Sequence, residues 1–128
     1  MHVRLTFVLA SVCCLISAAP VTAALQWETT VQKFETHPLQ VAQVSAFPFV
    51  NTGKEPVTIT ALKSTCGCVS GKVEPKRFAP GESGVVRVTF DLSKRLGPQR
   101  KAVKVITDAD TGRPVQLFVA TTICYRSN

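Results

Sequence analysis

Two cysteines separated by one glycine, Cys66-Gly67-Cys68, offer the most chemistry in this chain. The glycine lets the backbone bend freely between two thiols. Three arrangements suit them once Cys124 is considered. A disulfide from one of the pair to Cys124 would tie distant segments together and stabilise by about 2–4 kcal/mol through the unfolded state. A bond between Cys66 and Cys68 would close a short, strained ring suited to thiol–disulfide exchange. Two thiolates would also take a soft metal, Cu(I) or Zn(II), with Cys124 or His37 completing the shell. The plainest reading is a disulfide or buried thiol pair with no further role, because buried cysteine commonly behaves as a small apolar residue.

The second candidate is basic. Lys94-Arg95-Leu96-Gly97-Pro98-Gln99-Arg100-Lys101 concentrates four cations in eight residues. Lys94, Arg95, Arg100 and Lys101 are either a solvated loop or an anion-facing, partner-binding patch whose attraction weakens with salt. Other chemistry is thin. Asp108-x-Asp110-x-Gly112 lacks the further carboxylates and closing Glu of a calcium loop and reads as a turn. His37 stands before Pro38, as solvated turn residues do. No glycine-rich phosphate loop or serine elbow occurs, and the only other histidine is His2. The expectation is therefore a binding or structural module, not an enzyme, with no cofactor unless the thiols hold copper or zinc.

The first segment has the layout of a secretory leader. A short positive start ending at Arg4 precedes an apolar run from Leu5 to Ile16, and small residues follow up to Val21-Thr22-Ala23. Cleavage is expected after Ala23, with Ala24 as the alternative. The apolar run is too short for a bilayer span, which needs about 20 residues. This predicts residues 1–23 as signal peptide, residues 24–128 as one domain, and a periplasmic or secreted location. Export permits disulfides. Cys13 and Cys14 fall within the leader, so three cysteines remain, and an odd count leaves at least one unpaired within the chain. The whole chain carries +7, of which Arg4 supplies one charge. In an exported protein that balance points to an acidic protein or an anionic envelope component as partner, not to nucleic acid.

Seven short β-rich runs must position these residues. They are residues 25–36, 40–50, 57–62, 72–78, 85–91, 103–105 and 115–119. Val86, Val88 and Phe90 alternate with Val85, Arg87, Thr89 and Asp91. Val57, Ile59 and Ala61 alternate with Thr58, Thr60 and Leu62. Alternation is what a strand with one face on a core requires. Pro48, between Phe47 and Phe49, predicts an edge position or a bulge. Ala79-Pro80-Gly81-Glu82 suits a type II turn. The pattern predicts an all-β, seven-stranded immunoglobulin-like sandwich of Greek-key type. Successive strands then reverse direction, so loops alternate between two ends. One end gathers His37, Cys66, Cys68, Cys124 and the basic loop. The other gathers Glu55, Glu82, Asp108 and Asp110.

Phe49-x-Asn51-x-Gly53, Thr65-Cys66-Gly67-Cys68, Ala79-Pro80-Gly81-Glu82, Val88-x-Phe90-Asp91, Gly97 and Lys101-x-Val103 together resemble the bacterial domain of unknown function family numbered 1573. The resemblance covers roughly residues 47–119. It implies an immunoglobulin-like fold in exported bacterial proteins and brings no catalytic residues. Cys124 is not part of the pattern.

Overall fold

The computed structural model describes residues 24–37, 39–109 and 113–124. The expected signal peptide and its cleavage site at Ala23 lie outside these residues, as do Pro38, Asp110 and Gly112; Ala24 is the first described. No helix occurs among them. Among the described residues nine strands form two sheets: β1 Leu25–Trp27, β2 Val31–Lys33, β3 Ala42–Asn51, β4 Val57–Ser64, β5 Val69–Lys72, β6 Arg77–Phe78, β7 Ser83–Asp91, β8 Gly97–Thr107 and β9 Val115–Ile123. The order is β1-β3-β7-β5 in one sheet and β2-β9-β8-β4-β6 in the other.

The architecture is the expected all-β sandwich, but the strand count differs from seven for two local reasons. The first expected strand is split at residues 28–30. There the Thr29 hydroxyl donates to Val31 O at 3.0 Å and Val31 N–H donates back to Thr29 Oγ1 at 3.3 Å. Such a side-chain turn competes with ladder bonding. It lets β1 run antiparallel to β3 in one sheet while β2 runs parallel to β9 in the other. The fourth expected strand is also two. β5 pairs with β7, β6 pairs with β4, and the Glu74-Pro75 segment between them crosses from sheet to sheet.

Alternation builds the core. Phe47 and Phe49 of β3, Val86, Val88 and Phe90 of β7, Val103 and Val105 of β8, and Leu117 and Val119 of β9 all turn inward and are buried. Phe49 stacks edge-on to Phe78 at 4.7 Å between centroids and tilts against Trp27 at 4.8 Å. Gly84 makes this possible: a Cβ there would lie 2.4 Å from Phe78 and 2.5 Å from Phe49.

Pro48 sits where a missing N–H costs nothing. The expected edge position or bulge is not found, since β3 lies between β1 and β7 with unbroken register to β7. The Pro48 carbonyl accepts from Glu28 N–H at the end of β1, so its nitrogen faces Glu28 and takes no bond from the β7 ladder. At one end of the sandwich Asn51 is fully buried. Its Nδ2 donates to Glu55 O at 2.9 Å and Phe78 O at 3.0 Å, while Oδ1 accepts from Gly53 N–H at 3.0 Å.

Candidate functional site

The two ends are as alternation dictates. Registers of Ala42 with Asp91, Gly97 with Ile123, and Val69 with Phe90 place residues 65–68, 92–96 and 124 at one end. Within that end the thiols separate. β4 leaves the five-stranded sheet, and Cys66-Gly67-Cys68 carries the chain across to β5 in the four-stranded sheet, where Cys68 O accepts from Asp91 N–H at 2.8 Å. Cys124 follows β9 in the five-stranded sheet. Cys66 and Cys68 are disulfide-bonded to each other, and Cys124 is exposed and free. The bridge to Cys124 is thus replaced by the local one, because the crossing puts the pair on the opposite sheet.

Among the described residues no group of three or more His, Cys, Asp or Glu comes together to hold a metal, so neither Cys124 nor His37 joins the pair. His37 is exposed, its N–H donating to Gln40 Oε1 at 3.1 Å and its carbonyl accepting from Gln40 N–H at 3.1 Å.

The disulfide spans a single intervening residue, so it restricts the unfolded chain by little: the loop-entropy relation gives about 1.6 kcal/mol for three residues. It links no two strands. Cys68 is buried in the core and 6% exposed, whereas Cys66 is only half-buried. Cys68 N–H donates to Cys66 Sγ at 3.2 Å. Gly67 is exposed, and a Cβ there would meet nothing within 4 Å.

The four expected patch residues do not form one cluster. Lys94 and Arg95 lie in the turn between β7 and β8. Asp91 organises that turn: Ser93 N–H donates to its carboxylate at 2.8 Å, and Arg95 Nε donates to its carbonyl at 3.1 Å. The Ser93 bonds, with Arg95 nearby, hold the Asp91 carboxyl below the ordinary carboxylate range. Arg100 and Lys101 are neighbours on β8 and so point to opposite faces. Lys101 alternates with Val103 and Val105 on the inner side. Arg100 faces outward, 4.4 Å above the Phe118 ring.

Register assembles a different cationic surface. The outer face of the five-stranded sheet carries Lys33 beside Ala120, which is opposite Arg100. Lys63 stands opposite Lys104. Arg77 pairs with Thr58 on the same side, since Val57 and Phe78 are buried on the other. The five strands contain Lys33, Lys63, Arg77, Arg100, Lys101 and Lys104 and no Asp or Glu. Val31 and Phe118 add an apolar stripe between the cations.

Lys63 reaches this face only through the β-bulge between Ile59 and Ala61. Before it, Val57 and Ile59 face the core; after it, Leu62 packs on the core and Ala61 and Lys63 face out. Strict alternation puts Ala61 inside and Leu62 outside, and the bulge reverses both.

The open edge of β3 is blunted. Gln40 Nε2 donates to Ala42 O at 3.1 Å, Gln43 Nε2 to Val44 O at 3.1 Å, and Gln32 Nε2 to Ala46 O at 3.2 Å. Three glutamine amides therefore occupy carbonyls that an added strand would use. Near the disulfide end, Lys33, Phe34, Glu35, Gln99, Arg100 and Cys124 line a shallow groove of about 720 Å³.

The sequence matches the family described as "Protein of unknown function (DUF1573)" over residues 25–123. The chain belongs to this family. No curated protein matches the sequence. Among solved structures, a protein of unknown function from Porphyromonas gingivalis W83 is similar with a TM-score of 0.67 at 12% identity, over 81% of this chain and 50% of that one. Vibrio cholerae VesB protease is similar at 0.63 and 17% identity, over 77% and 32% of the two chains. The ASH / PapD-like domain of human CEP192 is similar at 0.62 and 12% identity, over 99% and 100%. The chain thus spans half the length of the first and about a third of the second. At these identities the likeness is one of fold.

Proposed function

We propose that this member of the family is an exported, non-catalytic binding module that docks an acidic protein through the outer face of its five-stranded sheet. One observation carries the reading: strand register puts Lys33, Lys63, Arg77, Arg100 and Lys104 on one face, in a sheet whose strands hold no carboxylate. Such a face attracts and orients an acidic surface. The Val31 and Phe118 stripe, with Arg100 stacked on Phe118, favours a protein over a purely polar polyanion. The glutamine-blunted edge of β3 favours docking on the face over strand addition. Export rests on the leader-like first 23 residues. No cofactor enters this reading.

The test is a photo-crosslinking amino acid placed at Lys104, and as a control at Arg87 on the outer side of the other sheet, in the full chain produced in bacterial cells. The expected result is a protein adduct at position 104 and none at 87. The captured protein, purified, should bind the wild-type chain with an affinity that falls as salt rises. The triple variant Lys33→Glu, Arg100→Glu, Lys104→Glu should abolish that binding. Equal adducts at both positions, a lipid or glycan adduct, or binding indifferent to salt and charge reversal would overturn the proposal.

A further inference from the structure

We infer that Cys66 and Cys68 form a thiol–disulfide exchange site for exposed dithiols of other proteins, with Cys66 as the sulfur that is attacked. Three features of the pair converge, and none belongs to the proposed docking face. The bond closes inside one loop and ties no strands together, so opening it leaves both sheets intact. The two sulfurs belong to unequal residues: Cys68 is 6% exposed and part of the core, while Cys66 is half-buried beside an exposed Gly67 with open space around it. Exchange requires an attacking thiolate to reach one sulfur in line with the bond, and Cys66, the more exposed of the two residues, offers the easier approach. Finally, Cys68 N–H donates to Cys66 Sγ at 3.2 Å. A donor at that sulfur stabilises it as a thiolate and makes it the better leaving group when the reaction completes.

The steps balance as follows. A substrate thiolate attacks Cys66 Sγ; a substrate–Cys66 S–S bond forms, the Cys66–Cys68 bond breaks, and its electron pair goes to Cys68 Sγ, which takes up a proton. The second substrate thiolate attacks the substrate sulfur of the mixed disulfide. A substrate disulfide forms, and Cys66 leaves as a thiolate facing Cys68 N–H. The substrate dithiol loses two electrons and two protons; Cys66 and Cys68 gain both electrons, Cys68 takes up one proton, and the other proton goes to solvent. The reverse sequence reduces a substrate disulfide.

The test uses the purified full chain with Cys13→Ser, Cys14→Ser and Cys124→Ser, so that only the pair reports. Glutathione buffers of graded ratio are the first probe, read by mass spectrometry after acid quenching. A synthetic dithiol peptide is the second. The native, oxidised protein should exchange within minutes, keep its β-sheet circular dichroism when reduced, and oxidise the peptide stoichiometrically. Adding Cys68→Ser should accumulate a glutathione adduct on Cys66. Adding Cys66→Ser should form its adduct at least about tenfold more slowly, because access limits the attack. Exchange only after denaturation, loss of the sheet signal on reduction, or equal adduct rates at the two positions would overturn the inference. The native exchange rate of the parent decides the matter even if a serine variant fails to fold.

Discussion

Lys63 of β4 stands directly opposite Lys104 of β8, and both are exposed. Like charges in that relationship repel and cost stability. Replacing either lysine by glutamate should therefore stabilise the isolated domain by about 0.5 kcal/mol at low salt, with the gain shrinking as salt is added. The same change should weaken docking of the acidic partner. Urea unfolding at two salt concentrations, beside a binding titration, separates the two effects.

Gly84 lies under the Phe49 and Phe78 rings, where a methyl group has no room. Gly84→Ala should lower stability by about 1–3 kcal/mol, the usual cost of overpacking a core. Trp27 packs on Phe49, so its fluorescence should change in the folded state of this variant. Gly67→Ala, with open space at its Cβ, should leave stability within about 0.5 kcal/mol of the wild type.

Asn51 ties the β3–β4 loop to β6 through Glu55 O, Phe78 O and Gly53 N–H. Asn51→Ala should cost about 3 kcal/mol, because buried partners lose their bonds. Asn51→Asp keeps the acceptor for Gly53 but loses both donations. It should be at least as harmful at neutral pH, where a buried carboxylate would face two carbonyls. Thermal unfolding across pH distinguishes the variants.

Asp91 and Asp108 are both held below the ordinary carboxylate value of 3.8, Asp91 chiefly by the Ser93 backbone N–H and Asp108 chiefly by the Thr58 backbone N–H. A depressed folded pKa means that the stabilisation is fully present above the unfolded value and is lost as pH falls through the folded one. Stability should thus decline on acidification below about pH 4. Asp91→Asn and Asp108→Asn should each flatten part of that decline. Denaturant midpoints measured from neutral pH downward provide the check.

Cys124 is exposed and free, whereas Cys66 and Cys68 are paired. Maleimide should label one thiol in the native, unreduced domain, and Cys124→Ser should abolish the labelling. After mild reduction the pair should take up label at Cys66 before Cys68. Peptide mapping of the labelled protein reads the order directly.

Much of this was legible in the residues themselves. Alternating apolar positions define β7 without help, because side chains on a strand must point to opposite faces. Breakers and strand reversal place the thiols and the basic turn at one end. Pro48 suggests an edge or a bulge, but β3 is an interior strand, and the missing N–H falls on the side of β1, where that short strand ends. The family resemblance is matched over residues 25–123.

Tertiary structure decided the rest. The Thr29 turn divides the first strand between two sheets, a choice that depends on which partner strands stand nearby. The bulge after Ile59 exchanges the faces of Ala61, Leu62 and Lys63, and alternation alone cannot register an inserted residue. Lys33, Lys63, Arg77, Arg100 and Lys104 are scattered in sequence and meet only through long-range pairing, whereas Arg100 and Lys101, adjacent in sequence, are sent to opposite faces. The crossing from β4 to β5 parts Cys66 and Cys68 from Cys124. Local chemistry set each strand and turn, but pairing between distant strands set which side chains share a surface, because a sheet's register is a property of two strands at once.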